Sequence, residues 1–465
     1  MKNLLTLLFC FVIGASFWFI EPPAGLKPQS IHLLGIFVFT ILGIIKKPLP
    51  MGAIAILSIA FVLITNTLPF EQAFSGFANP TVWLIVCAFF ISRGFIKTGL
   101  GERVAYYLMG KMGKTSLGMG YGMALTDLIL APAIPSVTAR TGGIIFPIVS
   151  SLARGFDSLP HDHPRKLGAY LMQVVFQGSL ITSAMFLTAM SGNPLVADLA
   201  AHVGVKITWG GWALAASLPG LLSLGLMPYL LFKLYPPEVK YTPDAPALAK
   251  KKLAALGKMT KPEWLMLSTF VLLVVLWIAG PLIAVDAVTT AFIGLIFILL
   301  LQVLSWSDIL SEKSAWDTLI WFASLVMMAT YLNKLGLTQY FSDWVVHSMT
   351  GFQPLVAYLI LSLIYFYSHY FFASSVAHIG SMYPAFLLLM ISFGTPPMIA
   401  ALSLGFFSNL FGGLTQYSSG PAPIIFGSGY VKLLTWWKLG FIFSVVNIMI
   451  WLGIGSIWWK FLGLF

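Results

Sequence analysis

The sequence predicts an all-α protein that crosses a membrane many times. Of its 465 residues, 58% are hydrophobic and only 9% are charged, whereas soluble chains carry about 25% charged residues. Apolar runs long enough to cross about 30 Å of hydrocarbon recur along the whole chain. These runs also fall into two matching sets, which is the layout of an inverted repeat.

Eleven of the apolar runs are predicted to be membrane spans. They are residues 4–20, 30–45, 50–67, 80–98, 168–202, 212–234, 264–284, 287–304, 315–335, 396–428 and 436–462. Two further apolar regions, 117–150 and 353–392, are rich in Gly, Pro and Ser. Irregular backbone at membrane depth must be buried in protein or line a watery cavity. Each of these regions is therefore predicted to be a re-entrant hairpin that enters and leaves on one side.

A polar linker, residues 236–262, divides the chain into two halves with the same apolar pattern. Residues 29–235 and 263–465 each hold five predicted spans and one hairpin, and residues 1–28 supply an extra N-terminal span with an outer loop. Because each half crosses the membrane an odd number of times, the second half begins on the opposite face of the membrane from the first. The sequence therefore predicts an inverted repeat with a ligand site near the membrane midplane.

Lysine and arginine residues concentrate in the loops on one side of this topology. If the N-terminus is cytoplasmic, the outer segments keep only Lys27, Lys206, Lys334 and Lys460. The positive-inside rule therefore predicts a cytoplasmic N-terminus, and we predict that the protein lies in the inner (plasma) membrane. The same pattern explains the net charge of +11 without a nucleic-acid partner. Residues 4–20 have the outline of a signal peptide, but the following spans favour an uncleaved first span.

Enzymes and metal proteins leave motifs that this sequence lacks. The two cysteines, Cys10 and Cys87, lie in apolar spans and offer neither a disulfide framework nor a metal cluster. No HExxH, GxSxG, CxxC or Walker A pattern occurs. We therefore predict no enzymatic activity, no metal, no cofactor and no ATP drive within this chain.

The stretch from Asp127 to Pro147 concentrates polar residues and backbone breakers inside the first hairpin. Its polar side chains include Ser136, Thr138, Arg140 and Thr141. Hydroxyl groups in membrane helices often bond only helix carbonyls, but a cluster among prolines and glycines favours ligand contact. An arginine at this depth costs about 2.5–3.5 kcal/mol and needs a partner or a substrate. Arg140 is predicted to bind an anion, with an ion pair to Asp127 as the alternative.

The second hairpin repeats the tip pattern of the first. Residues 136–140 read SVTAR, and residues 374–378 read SSVAH. Serine, alanine and a cationic or potentially cationic residue keep the same spacing in both. We therefore predict that Ser374, Ser375 and His378 face the same ligand, with a structural role as the alternative for the histidine.

The span that follows each hairpin is broken near its middle. Residues 188–194 read TAMSGNP, and residues 412–421 read GGLTQYSSGP. Such breaks expose backbone amides and half-helix termini, and the N-terminal end of a half helix favours an anion. The candidate ligand-binding residues in the breaks are Gly192, Asn193, Thr415, Gly420 and Pro421.

At these motifs the sequence resembles the divalent anion:sodium symporter family of dicarboxylate and citrate carriers, over nearly the whole chain. Members carry a Ser-Asn-Thr motif at each hairpin tip, where it contacts substrate carboxylates. The resemblance implies this role for Ser136, Thr138, Ser374 and Ser375. The asparagines also serve sodium sites in the family, and Val137 replaces the first of them.

The runs TARTGGIIFP and FFSNLFGGLTQYSSGPAPIIFGSGYV are similar to the sodium-independent branch of that family. That branch includes bacterial citrate/succinate and tartrate/succinate exchangers and plastid 2-oxoglutarate/malate translocators. The resemblance implies a homodimer in membrane lipid, with a scaffold domain and an elevator-like transport domain.

We therefore predict an elevator carrier that exchanges dicarboxylates, such as 2-oxoglutarate, malate and succinate, without sodium coupling. A sodium-coupled dicarboxylate or citrate symporter is the main alternative, and a channel or receptor-like membrane protein is a more distant one. The predicted substrate-binding residues are Ser136, Val137, Thr138, Arg140, Thr141, Gly192, Asn193, Ser374, Ser375, His378, Thr415, Gly420 and Pro421.

Overall fold

Helices form most of the protein in the computed structural model, which describes residues 2–337, 340 and 353–464. Within those residues, the only β-structure is an isolated bridge between Thr115 and Tyr241. A helix satisfies its backbone hydrogen bonds within one segment, which suits a chain this apolar. The predicted all-α class is confirmed.

The helices are labelled in chain order, and two of them are continued by π-helical turns. Those before the linker are α1 (Lys2–Ser16), α2 (Pro28–Lys46), α3 (Met51–Ile64), α4 (Phe70–Ala73), α5 (Pro80–Thr98), α6 (Leu100–Met112), α7 (Ser116–Leu130), α8 (Phe146–Gly155), α9 (Gly168–Met185), α10 (Gly192–Ala201) and α11 (Trp209–Leu234). Those from the linker onward are α12 (Ala245–Ala255), α13 (Lys261–Ile283), α14 (Ala287–Leu300), α15 (Trp306–Ser311), α16 (Lys313–Lys334), α17 (Pro354–Tyr367), α18 (Ser375–Ser392), α19 (Pro397–Leu410), α20 (Ala422–Gly427), α21 (Leu433–Ile448) and α22 (Gly455–Phe461). The π-helical segments are Thr138–Ile145, before α8, and Met449–Ile454, after α21. Residues 338, 339, 341–352 and 465 of the second predicted repeat lie outside the described residues.

Eight helices in the described part of the chain are long and apolar enough to cross a membrane. They are Pro28–Lys46, Pro80–Thr98, Trp209–Leu234, Lys261–Gly280, Lys313–Lys334, Pro354–Phe371, Ser375–Ser392 and Leu433–Phe461. Shorter apolar helices are Asn3–Phe19, Met51–Ile64, Ala287–Leu300 and Pro397–Gly413. These helices support the predicted multi-pass membrane protein.

The chain forms two compact units and passes between them several times. Unit 1 consists of Met1–Val86, Pro194–Ile207 and Glu312–Leu404, and unit 2 consists of Cys87–Asn193, Thr208–Ser311 and Gly405–Phe465. Each unit takes segments from both predicted repeats, so the units are not the repeats. The repeat boundaries and the inverted relation between the halves stay predictions.

In unit 1, α2 packs against α1, α3, α16 and α18. Glycines permit the closest of these contacts, because a Cβ on Gly35 of α2 would lie 2.5 Å from the Gly14 carbonyl oxygen of α1. The hydroxyls of Thr40 and Ser58 join α2 to α3 in the buried interior, 2.7 Å apart. Unit 1 also holds the second hairpin, in which a 3₁₀ turn at Ser368–Phe371 follows α17.

In unit 2, α9 is the central helix, and each of its residues from Gly168 to Met185 is buried. It packs against α7, α8 and α11. The Trp212 indole of α11 donates to the Ala184 carbonyl at 2.9 Å, which pairs a group left open at the end of α9. The first hairpin and the unwound segments of both broken helices lie in this unit.

The predicted linker, residues 236–262, contains a helix of its own. Its Ala- and Lys-rich stretch forms α12, as expected of good helix formers, and α12 packs against α6. Arg103 of α6 holds the far end, because its guanidinium bonds Glu263 at 2.6 Å and the Gly257 carbonyl at 2.9 Å. The linker is therefore folded onto unit 2.

Candidate functional site

The first hairpin turns at two prolines. The helix α7 ends at Leu130, and Pro132 and Pro135 prevent its continuation because proline lacks an N–H and clashes with the preceding turn. The second arm starts at Val137 and runs through the π-helical segment Thr138–Ile145 into α8. Such π-helical turns are frequent at functional sites.

A serine caps the second arm of each hairpin. Ser136 Oγ accepts a hydrogen bond from the Ala139 N–H at 3.1 Å, and Ser374 Oγ accepts one from the Ala377 N–H at 3.3 Å. This is the N-cap arrangement in which serine is preferred. A capping serine accepts with its oxygen, so its own proton can still be donated to an anion beside the helix N-terminus. Both serines are half-buried.

Arg140 is fully buried, and protein atoms engage its whole guanidinium group. Its Nε donates to Asp127 Oδ1 at 2.8 Å, in a buried ion pair. One terminal nitrogen donates to the carbonyls of Ile134 at 2.7 Å and Ala189 at 3.0 Å. The other donates to the Ser183 hydroxyl at 2.9 Å. This geometry favours the counter-ion alternative over direct contact with a substrate.

Asp127 is engaged at both of its oxygens. Oδ1 is held by Arg140, and Oδ2 accepts a short hydrogen bond from the Thr182 hydroxyl of α9. Sequence reasoning missed Thr182 and Ser183, because α9 falls inside an apolar run. The available signal was the number of polar residues in that run, including Gln173 and Gln177.

The broken span after the first hairpin is tied to both its own helix and the second broken span. Asn193 is buried, and its Nδ2 donates to the carbonyls of Ser183 at 2.8 Å and Phe186 at 3.0 Å, where α9 has ended. Its Oδ1 accepts a 2.7 Å hydrogen bond from Asn409 Nδ2, near the end of α19. Sequence reasoning did not single out Asn409, an amide within an otherwise apolar helix.

The second break, between α19 and α20, is held by its own polar groups. The Ser418 hydroxyl donates to the Thr415 carbonyl at 2.8 Å, and the Thr415 N–H donates back to Ser418 Oγ at 3.2 Å. Gln177 of α9 donates to the Gly413 carbonyl at 3.2 Å. The break is therefore a defined turn that rests on the central helix of unit 2.

The first hairpin tip lies directly against this second break. A Cβ added to Gly420 would collide with Thr138 Oγ1, and one added to Gly142 would lie 2.8 Å from Ile424 Cδ1 of α20. Thr141, one residue before Gly142, is fully buried, and its hydroxyl makes no hydrogen bond to any residue in the described ranges. The hairpin tip and both breaks therefore converge within unit 2.

His378 is buried inside the second hairpin. Its Nε2 lies 3.1 Å from Ser368 Oγ, and its Nδ1 lies 3.0 Å from His369 Nδ1. The imidazole stacks on Phe372 with 4.5 Å between ring centroids. These contacts favour the structural alternative for His378.

The predicted substrate-binding residues are divided between the two units. Unit 1 contains Ser374, Ser375 and His378. Unit 2 contains Ser136, Val137, Thr138, Arg140, Thr141, Gly192, Asn193, Thr415, Gly420 and Pro421. A site shared by both hairpin tips therefore stays a prediction. Among the residues that the structure describes, no group of three or more His, Cys, Asp or Glu side chains is placed to hold a metal ion.

Comparison with protein families finds one match over the full chain. The model of the sodium:sulfate symporter transmembrane region matches residues 1–465. YflS of Bacillus subtilis (strain 168), named as a candidate malate transporter, is 55% identical over 99% of this chain and 97% of its own. Dicarboxylate transporter 1 of Spinacia oleracea chloroplasts is 51% identical over 98% of this chain and 81% of its own. The inner membrane protein YbhI of Escherichia coli (strain K12) is 36% identical over 99% of this chain and 98% of its own.

Solved structures give the same fold at much lower identity. The YdaH transporter of Alcanivorax borkumensis superposes with a TM-score of 0.57 at 12% identity, over 84% of this chain and 86% of its own. MtrF of Neisseria gonorrhoeae superposes with a TM-score of 0.59 at 11% identity, over 98% of this chain and 94% of its own. Both are transporters, and at this identity the likeness shows the fold alone.

Proposed function

The chain belongs to the sodium:sulfate symporter family, and from that premise we propose that it is a membrane antiporter that exchanges dicarboxylates. The family and the names of its relatives indicate a transporter rather than an enzyme. Relatives named as dicarboxylate transporters, 51% identical over nearly the whole chain, support the substrate class. We further propose the elevator movement and the homodimer that the family resemblance implies, and the cytoplasmic N-terminus that the distribution of lysine and arginine predicts.

The observation that carries the proposal is the convergence in unit 2. The Thr188 hydroxyl of the first break donates to the Pro132 carbonyl of the hairpin turn at 2.7 Å. The tip meets the second break where Thr138 contacts Gly420. A hairpin tip and two half-helix ends in one place provide hydroxyl and amide donors at membrane depth, which suits a carboxylate.

The donors that read the substrate are neutral in this proposal. Ser136 and Thr138 donate hydroxyl hydrogen bonds to a carboxylate, and the sequence predicts the same role for Ser374 and Ser375. The buried Thr141 hydroxyl, which makes no hydrogen bond within the described part of the chain, is a further donor. Arg140 does not contact the substrate in this proposal, because Asp127 offsets its charge. Its role is to hold the hairpin tip in position. The second-arm helix N-terminus adds partial positive charge, equivalent to about half an elementary charge.

Exchange follows from the cost of an empty site. In an empty site, the donors proposed for the carboxylates lose their substrate acceptor, and each one that is left buried and unpaired costs about 1–3 kcal/mol. A bound dicarboxylate satisfies them together, so the loaded carrier should reorient far more readily than the empty one. Transport then requires a substrate on both sides.

The test is uptake of labelled malate by the purified protein in proteoliposomes. Vesicles preloaded with unlabelled malate, succinate or 2-oxoglutarate should accumulate label, and empty vesicles should take up little. Sulfate-loaded vesicles are the matched control, since sulfate carries the same charge without two carboxylates. Equal uptake by empty and preloaded vesicles would exclude obligatory exchange, and exchange of sulfate as fast as malate would exclude dicarboxylate selectivity.

A further inference from the structure

Asp198 has a buried carboxylate oxygen to which none of the residues that the structure describes donates a hydrogen bond. It lies on α10, five residues after Asn193, in the part of that helix that belongs to unit 1. Its Oδ1 accepts a 2.9 Å hydrogen bond from Asn79 Nδ2. Its Oδ2 is buried and makes no hydrogen bond to any of the described residues. The two oxygens of one carboxyl group therefore have different surroundings.

The groups that position this carboxyl are mostly uncharged. Asn79 caps the start of α5, where its Oδ1 accepts the Thr81 N–H at 2.7 Å, and this fixes Nδ2 toward Asp198. The Thr81 side chain also interacts with the carboxyl, but it makes no hydrogen bond to Oδ2. Of the titratable groups in the described chain, His202 is the one whose charge acts on Asp198.

His202 links this carboxyl to an open space in unit 1. Its Nε2 lies 3.1 Å from Thr330 Oγ1, and its carbonyl accepts a 3.3 Å hydrogen bond from Asn333 Nδ2. Both partners are uncharged and belong to α16. His202 and Asn333 also line a cavity of about 450 Å³, which Ser381 of the second hairpin lines as well. The histidine therefore connects the surroundings of Asp198 to a cavity beside the hairpin.

We propose that Asp198 is a proton-binding site, with Oδ2 as the protonated oxygen, and that dicarboxylate exchange runs with Asp198 neutral. Asp198 is half-buried as a residue, but a charged carboxylate is costly when one of its oxygens is buried and receives no hydrogen bond from the described residues. A proton on Oδ2 removes that charge and leaves Oδ1 able to keep its bond to Asn79. The proton comes from water and returns to water, so only the O–H bond forms and breaks. The link to transport rests on the proposed function, whereas the proton site does not.

The first test is the pH profile of malate exchange by the full chain in malate-loaded proteoliposomes, with equal pH on both sides. Above the midpoint of Asp198, the parent rate should fall roughly tenfold per pH unit, as the neutral fraction does. Asp198→Asn keeps a neutral side chain of similar shape, so its rate should not fall and should exceed the parent rate at the alkaline end. Substrate titration is common to both proteins and cancels in their ratio.

Two variants serve as controls for that profile. Asp286→Asn changes an exposed carboxylate whose oxygens bond Thr289, and it should keep the parent profile. His202→Gln removes the neighbouring titratable group, and it should shift the midpoint without abolishing the fall. If His202→Gln flattens the profile and Asp198→Asn does not, the proton site lies on the histidine and the proposal is wrong.

Infrared difference spectroscopy decides the site without any transport. On acidification, the parent and Asp286→Asn should show a protonated carboxyl band that Asp198→Asn lacks. Identical spectra for the parent and Asp198→Asn would overturn the proton site. A band with an unchanged pH profile in Asp198→Asn would overturn the link to exchange. If the parent exchanges no malate at any pH, the proposed function fails, and the band still decides the proton site.

Discussion

Arg140 shows how this fold accommodates a full charge in its interior. A single carboxylate, Asp127, offsets the charge, and backbone carbonyls and hydroxyls take up the remaining N–H groups. The partners come from α7, the hairpin turn, the break and α9, so the side chain connects four parts of unit 2. A buried pair of this kind is weak evidence for stability, but removing one member leaves the other charge unpaired.

We expect Arg140→Ala to destabilise the protein by about 3–5 kcal/mol, because Asp127 would stay buried without its counter-ion. The double variant Arg140→Gln with Asp127→Asn removes both charges and should recover much of that loss. Thermal unfolding in detergent measures both effects. Arg154→Ala removes an exposed arginine in the last turn of α8, and it should change stability by no more than about 0.5 kcal/mol.

A loss of exchange without a loss of stability would support the anion-binding role that the sequence predicts for Arg140. If Arg140→Ala unfolds at the parent temperature but exchanges no malate, the guanidinium contacts substrate in another state of the cycle. Arg140→Lys would then rescue poorly, because a point charge does not reproduce the planar fork.

Substitution of a capping serine should have two effects, one on substrate binding and one on the stability of the protein, and each is measured by its own assay. We expect Ser136→Ala and Ser374→Ala each to weaken carboxylate binding by about 1–3 kcal/mol, since a donor to the substrate is lost. Loss of the cap should lower stability by about 1 kcal/mol. Half-saturation in exchange assays measures the first effect and thermal unfolding the second. Ser217→Ala, in an exposed helix turn, is the control; a half-saturation in Ser136→Ala equal to that of the control would remove Ser136 from the site.

At the scale of elements, the proposed site depends on two chain breaks that fit against a hairpin tip. Asn193 and Asn409 join the breaks to each other, and Gly420 lets the second break approach Thr138. The Thr188 hydroxyl ties the first break to the hairpin turn, and Gln177 of α9 bonds the Gly413 carbonyl of the second. The geometry of the tip is therefore a property of all three elements together.

We expect Gly420→Ala to reduce malate exchange by at least about tenfold, since a displacement of about 1 Å at a site costs up to a hundredfold. The added Cβ would collide with Thr138 Oγ1 and push the break from the tip. Gly427→Ala lies in α20, where a Cβ meets nothing within 4 Å, and it should exchange at the parent rate. Equal exchange rates in the two variants would show that the contact between tip and break is not needed.

At the scale of the whole molecule, we propose that dicarboxylate exchange does not require sodium. A sodium site needs several oxygen ligands, and the Val137 isopropyl group offers none. Both Asp127 oxygens are also engaged. We expect replacement of external sodium by choline to change exchange by no more than about twofold, well below the 5- to 150-fold typical of coupled ligands. A steep, saturable dependence of initial rate on sodium concentration would favour the symporter alternative.

The sequence alone determined the all-helical membrane class, and it located the breaks after α9 and α19. These features are local, because they depend on neighbouring residues in the chain. Apolar runs predict spans, and clusters of Gly, Pro and Ser predict where a span is interrupted. The caps that Ser136 and Ser374 make are local as well, because each joins residues three apart in the same chain.

The partners of the buried polar groups were decided only by the tertiary structure. Asp127 meets Thr182 fifty-five residues away, and Asn193 meets Asn409 across 216 residues. Periodicity and composition show that such groups are buried, but they do not show which donor reaches which acceptor. For that reason sequence reasoning predicted that Arg140 binds an anionic substrate. The tertiary structure instead pairs its guanidinium group with Asp127, backbone carbonyls and a hydroxyl of the protein itself.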